Sequence, residues 1–255
     1  MSTWFGLAIA LGALGACGFQ PTAQAVQPDA QRLTGTLDGN TAVAQDCHVD
    51  DTSLRLCLDF EDPSLDPTVA DRSTFHHDGA AQLVSAVSRT TTQQAALFTA
   101  TSRLHVAETA DLDIPDHVTV ELWSEVFDPT ERPWLFDNAK QYALAIDHDH
   151  LFCYAKGAYA NTTINLGVST WHHLACTYGD GKLIAFVDGK QAACQKVTGP
   201  IDANANTGGT DLGTGLIGAI DDVHVYARSL SSAEIATLAG TTPGLDVPCG
   251  NGMGG

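Results

Sequence analysis

The chain has 255 residues, 44% of them hydrophobic, which is enough for one sandwich-sized domain with a sizeable core of its own. Twelve Lys and Arg stand against 30 Asp and Glu, a formal net charge of −18. With its basic residues scattered, such a surface repels nucleic acid and anionic membranes; it suits solubility, or oxygen ligation of a hard cation.

Residues 4–16 are apolar and small, too short a run to span a bilayer, and are expected to be a targeting segment. The run ends Leu14-Gly15-Ala16-Cys17, which resembles the bacterial lipobox. That resemblance implies cleavage after residue 16 and lipid on the Cys17 thiol. No Lys or Arg precedes the run, a departure from the usual signal peptide. Gly18 follows the Cys in place of an Asp, so the expectation is an exported chain held at the outer membrane or cell surface by that lipid alone. Residues 17–46, rich in Gln, Ala, Thr, Gly, Asp and Pro, read as a flexible tether.

The folded domain is expected over residues 47–249, with a frayed Gly-rich tail at 250–255. Strand-like runs begin at 54–60 and recur at 83–87, 95–98, 103–106, 118–124, 134–136, 142–146, 151–154 and 162–166. A spacing of roughly ten residues with Gly, Asp and Asn between runs favours one all-β domain. Residues 71–79 read as a polar loop, and 156–161 as another loop that exposes Tyr159. In 171–190, two runs flank Gly179-Asp180-Gly181 and a second turn follows at Asp188-Gly189; both turns carry the residues that tolerate positive φ. Apolar residues on both faces of these runs predict strands covered on two sides. Ser231-Ser232-Ala233-Glu234 is a capping box that opens a short C-terminal helix, with Gly240 as its stop.

Setting Cys17 aside leaves Cys47, Cys57, Cys153, Cys176, Cys194 and Cys249. An even number in an exported chain implies disulfides, with fifteen connectivities open. Cys47 and Cys57 are near enough in sequence for a local pair; two of Cys153, Cys176 and Cys194 suit a link between neighbouring strands, and Cys249 a tie for the tail.

Four segments in order resemble one family. They are LCLDFED at 56–62, VTVELWS at 118–124, WHHLACTYGDGKLIAFVDGK at 171–190 and IGAIDDVHVYARSLSSAEIATL at 217–238. Together they resemble the laminin-G-like branch of the concanavalin A-like lectin/glucanase superfamily. The resemblance implies a two-sheet antiparallel jelly-roll sandwich. It does not choose among sugar binders, adhesion modules and hydrolases.

Some glucanases of that superfamily carry three alternating acids on one strand. Here Glu121 and Glu125 share a strand face, with Trp123 in the central position, and lie roughly 13 Å apart along the backbone, long for a retaining pair. The resemblance also implies a structural calcium held by acids from separate segments; the matching positions are Glu61, Asp71, Asp221 and Asp222. The loop after Asp71 departs from the pattern, with His76 and His77 where Gly and Asn are common. His148 and His150 share an acidic hairpin tip that suits solvated turn residues better than a metal. For sugar stacking, Trp134, Tyr142, Tyr154, Tyr159 and the amide of Asn161 are the candidates, Trp123 and Trp171 being assigned to the core. The expected function is a membrane-anchored, non-catalytic module binding carbohydrate or a glycosylated partner, with calcium structural if present. The alternatives are a glycoside hydrolase using Glu121 and Glu125, or a purely structural envelope protein.

Overall fold

Alternation decides the architecture: each long strand sends every second side chain between two sheets and the rest outward. The computed structural model describes residues 47, 50–130, 132–139, 141–202 and 208–250. The expected leader, Cys17 and tether therefore lie outside the described residues.

The strands in chain order are β1 (Leu54–Leu58), β2 (Thr68–Val69), β3 (Gly79–Gln82), β4 (Ser85–Ser88), β5 (Gln94–Phe98), β6 (Arg103–Val106), β7 (Val118–Val126) and β8 (Trp134–Asn138). They continue with β9 (Tyr142–Asp147), β10 (His150–Ala155), β11 (Ala158–Asn161), β12 (Trp171–Gly179), β13 (Lys182–Val187), β14 (Lys190–Lys196), β15 (Thr210–Thr214) and β16 (Gly218–Tyr226), before helix α1 (Ser232–Leu238). All named pairings are antiparallel. One sheet runs β14-β13-β12-β7-β16-β5-β4, with β1 also paired to β16; the other runs β11-β10-β9-β8-β15-β6-β3-β2. We call them the β7 sheet and the β9 sheet. The expected all-β jelly-roll sandwich with one short C-terminal helix is the fold observed.

Between the sheets, Val118, Val120, Leu122, Leu174, Leu183 and Val225 of one meet Leu104, Phe136, Leu144, Leu151 and Leu212 of the other. Cys153 and Cys176 join β10 to β12 through this core, so their disulfide crosses from sheet to sheet. A second, smaller cluster covers the outside of the β7 sheet: Leu54, Cys57, Ala175, Phe186, Tyr226, Leu230 and Ile235, with α1 packed over it. This is why β12 and β13 are apolar on both faces. The helix begins as its capping box dictates: the Ser231 side chain accepts from Glu234 N, and Glu234 reaches back to Ser231 N.

Three local expectations are corrected. Residues 162–166 form no strand, because β10 pairs instead with 158–161. Residues 156–161 are accordingly not one loop: Lys156 and Gly157 at φ 51° and 76° make a two-residue hairpin turn, and β11 starts at once after it. Gly250 is not frayed; its N–H donates to Cys194 O and its carbonyl accepts from Lys196 N, beside the Cys194–Cys249 disulfide. The third disulfide is Cys47–Cys57.

Replacing Cys153 and Cys176 together by Ala is expected to lower unfolding free energy by about 2–5 kcal/mol, since the bridge closes a loop and its sulfurs fill the inter-sheet core. Urea unfolding followed by tryptophan fluorescence measures it, and an unchanged midpoint contradicts it.

Candidate functional site

Two outward faces carry chemistry, one sealed and one open. On the β7 sheet the register sets Glu121 between Ala175 and His224, and Trp123 between His173 and Asp221. Glu121 is completely buried. His173 Nε2 lies 2.7 Å from its Oε2, and His224 Nδ1 contacts its Oε1. Burial alone would raise its pKa, but the charge of His224 and the hydrogen bonds of both imidazoles hold it down at about 2. Burial works against a charged His224, yet the neighbouring Glu121 carboxylate raises its pKa above the ordinary value.

A bulge in β16 completes this layer. Two steps on β7, from Trp123 to Glu121, oppose three on β16, from Asp221 to His224. Asp222 is the extra residue, at φ 48°. Both aspartates are buried, and Arg89 Nη1 lies 2.7 Å from a carboxylate oxygen of each. The guanidinium also lies 4.2 Å from the Trp123 ring centre and 5.4 Å from that of Trp171. Trp123 and Trp171 are thus half-buried partners of Arg89 outside the β7 sheet, not fillers of the inter-sheet core as expected.

These contacts correct two expected sites. The Glu121/Glu125 pair does share a face, but Glu121 is sealed and committed to two imidazoles, so it has no route to a glycosidic bond. The acids matched to a calcium site do not gather. Asp71 Oδ1 accepts from Cys57 N and Ser73 N, and its Oδ2 from Ser73 Oγ and His77 N. Glu61 Oε1 accepts from Gln94 N, and Asp221 and Asp222 share the positive charge of Arg89. Among the described residues, no group of three metal-ligating side chains within 4.8 Å contains any of these four. At these four positions the acids meet N–H, O–H and guanidinium partners and do not converge on one cation, whereas calcium gathers six to eight oxygens.

The open face is the outside of the β9 sheet. Strand register aligns Tyr159, Tyr154, Ala143, Asp137, Asp211 and His105 in one row across it. Asn161, Phe152, Ala145, Trp134 and Thr214 form the next. Four aromatic rings cluster there: Trp134 meets Phe152 edge-on at 5.4 Å, Phe152 lies 6.1 Å from Tyr159, and Tyr159 lies 5.2 Å from Tyr154. Tyr159 is 54% exposed, Trp134 and Tyr154 half-buried. Arg132, paired with Asp147, lies over Phe152 at 5.2 Å. At the far end of the row Asp211 Oδ1 pairs with His105 Nδ1 at 2.8 Å. Burial, then the charge of Asp211, raises the pKa of Asp137.

Of the residues expected to bind sugar, Trp134, Tyr154, Tyr159 and Asn161 share this face. Tyr142 does not: it is buried in the core, stacked on Phe136, and its hydroxyl donates to Leu112 O. The sequence reading missed Phe152, Asp137, Asp211, His105 and Arg132 as members of the face. Phe152 and Tyr154, two apart in β10, were the available signal. His148 is a solvated turn residue, and His150 bonds Ile164 O through Nδ1.

A family model described as the concanavalin A-like lectin/glucanases superfamily matches residues 98–236. The chain belongs to this superfamily. Similar solved structures include the binding domain of Paraclostridial Mosquitocidal Protein 1, at TM-score 0.60 and 13% identity over 75% of this chain and 52% of that one. Domain 4 of AbnA, a GH43 extracellular arabinanase from Geobacillus stearothermophilus, in complex with arabinotriose, matches at 0.60 and 15% over 73% and 98%. The botulinum neurotoxin serotype C1 binding domain matches at 0.57 and 13% over 73% and 51%. At such identities the likeness is one of fold, and this chain spans about half the length of the mosquitocidal and neurotoxin chains. No curated protein matches. Within this superfamily fold, the sealed layer on the β7 sheet stiffens one side while the aromatic face of the β9 sheet is left open.

Arg89→Met is expected to destabilise the fold by about 3–5 kcal/mol, because it leaves the negative charge of the buried Asp221–Asp222 pair without its cation. The pH dependence follows from the same layer. Burial, then the charge of Asp222, pushes Asp221 up to about 8. A carboxyl raised in this way is protonated in the native state where the unfolded chain is ionised, so stability falls as pH rises from about 4 to 8. The raised His224 adds to that fall above its ordinary value, about 6.5, whereas the depressed Glu121 costs stability only as pH drops from about 4.5 toward 2. The melting temperature is therefore expected to peak between about pH 4 and 5, by about one degree or more over pH 8; a rise toward pH 8 contradicts it.

Proposed function

We propose that the chain is a non-catalytic glycan-binding module whose ligand lies across the outer face of the β9 sheet. The observation that carries this is the cluster Trp134, Tyr154 and Tyr159, packed on the buried Phe152, beside Asp137, Asp211 and His105 on one face. Sugars offer apolar ring faces to aromatic side chains and hydroxyls to carboxylates and amides, and this face presents both kinds of group side by side. Ala143, buried between Tyr154 and Asp137, separates the aromatic half of the row from the acidic half. That its structural neighbours include toxin binding domains and an arabinanase domain bound to arabinotriose supports the reading. So does the commitment of Glu121 to structure, which takes away the hydrolase alternative built on it.

The reading includes export and a lipid anchor at Cys17. Three disulfides support an oxidising compartment, and the net charge of −18 supports a membrane attachment through lipid, not through surface charge. Calcium is not needed for the contacts described, so the module is proposed to bind without it.

Arabino-oligosaccharides and a glycan array, each with and without EDTA, test the proposal. Binding to at least one glycan is expected, unaffected by EDTA. Tyr159→Ala and Trp134→Ala are each expected to weaken it about tenfold, near the value of a lost stacking contact. Affinity should also fall as acid protonates Asp137, with a midpoint above the usual Asp value because burial raises it, and Asp137→Asn should remove that pH dependence. No glycan bound in any condition favours a purely structural envelope protein; binding that survives both aromatic substitutions refutes the face.

A further inference from the structure

We propose that Cys47, Cys57 and His224 form a thiolate–imidazole site for a soft or borderline d10 cation, with zinc(II) as the type ion, once the Cys47–Cys57 disulfide is reduced. The inference does not rest on the glycan-binding reading.

Cys57 and His224 are register partners on the antiparallel strands β1 and β16. Directly opposed residues of such a pair have Cβ atoms about 4.5–5.5 Å apart, with side chains on the same face. Cys47 is brought to this point by its bond to Cys57. The two sulfurs and a ring nitrogen of His224 all lie within 4.8 Å of one another, the one such group of three among the described residues.

The second observation concerns the imidazole. His224 is 1% exposed, and its Nδ1 is engaged with Glu121. Its Nε2 is buried with no hydrogen-bond partner. A buried ring nitrogen without a partner is costly unless something coordinates or pairs with it. With Nδ1–H donating to a carboxylate, loss of the Nε2 proton to an incoming cation leaves the tautomer already fixed, which is the arrangement that commonly orients a metal-bound histidine. Glu121 supplies that carboxylate, and His173 holds it from the other side. Glu121 is thus a positioning residue for the site.

The donor set selects the ion. Two thiolates and one neutral imidazole suit zinc or other thiophilic d10 cations and not calcium or magnesium. Two thiolates also cancel the charge of a divalent ion, so the centre is neutral. That matters because its surroundings are the apolar cluster of Leu54, Phe186, Tyr226, Leu230 and Ile235. In the disulfide form the same sulfurs are bonded to each other and cannot ligate.

The chemistry balances. A dithiol reductant gives two electrons and two protons to the Cys47–Cys57 bond and itself closes to a disulfide; two protein thiols result. Zinc(II) then binds the two sulfurs and Nε2, and three protons leave to water, one from each thiol and one from Nε2 of the charged imidazole.

The test uses the purified chain with Cys194 and Cys249 replaced by Ser. A tertiary phosphine reduces Cys47–Cys57, taking an oxygen from water as the two thiols form, while Cys153 and Cys176 stay shielded between the sheets. Alkylation with mass analysis confirms two free thiols. Zinc(II) is then titrated by calorimetry and cobalt(II) by absorption. Expected are one zinc per reduced chain, none per oxidised chain, and a thiolate-to-cobalt charge-transfer band. Cys47→Ser and His224→Gln should each weaken zinc binding about tenfold or more, and Glu121→Gln about 10–100-fold. Should His224→Gln fail to fold, Cys47→Ser decides, since Cys47 is partly exposed. The proposal is overturned if the reduced chain binds no stoichiometric zinc, if the cobalt band is missing, or if Cys47→Ser binds zinc as tightly as its parent.

Discussion

Three carboxylates, Glu121, Asp221 and Asp222, are buried on the outer side of one sheet, and the central pairing of β7 with β16 stands only because cations meet them there. Arg89 reaches in from the turn after β4 to hold both aspartates, and two imidazoles take the two oxygens of Glu121. Desolvating a charge costs several kcal/mol unless it is paired and hydrogen-bonded, so each of these acids is stable in place only as part of the set. The bulge at Asp222 is the geometric condition: one extra residue turns two consecutive aspartates toward a single guanidinium.

That layer divides the molecule's labour. With the outside of the β7 sheet covered by Arg89, Trp123, Trp171 and the helix-capped apolar cluster, its polar groups are absorbed into structure. The outside of the β9 sheet has no such cover over Tyr159, Asn161 and Asp211. The β9 sheet thus presents the proposed binding groups, and the β7 sheet the groups that hold the fold. Confusing the two is what makes Glu121 look catalytic and Asp221 look like a calcium ligand when only the chain is read.

The outer cluster of the β7 sheet also links the disulfide Cys47–Cys57 to the same network, through His224. Glu121 lies between His173 and His224, and His224 lies between Glu121 and the two sulfurs. A change in the redox state of those sulfurs would thus be felt first by an imidazole already fixed by a buried carboxylate, not by a loop free to absorb it.

The strands of the hairpin at 171–190, the central strand from Val118, the capping box at Ser231 and the all-β sandwich itself were legible in the sequence. They rest on local rules: period-two alternation, positive-φ residues at turns, and a side chain that caps its own helix. Likewise local was the short-range pair Cys47–Cys57. Which face each residue took was decided by tertiary structure. Tyr142 and Tyr154 are both tyrosines of neighbouring strands, yet one fills the core and the other joins the open face, because the register pairs Tyr142 with Ala155 and Tyr154 with Ala143, adjacent positions that face opposite ways. Arg89 lies 132 residues from Asp221, and Asp137 meets Asp211 only through the pairing of β8 with β15. Local sequence carries no information on such partners, since their meeting depends on how strands order within a sheet and how two sheets stack, and the cost of burying charge then selects which encounters survive.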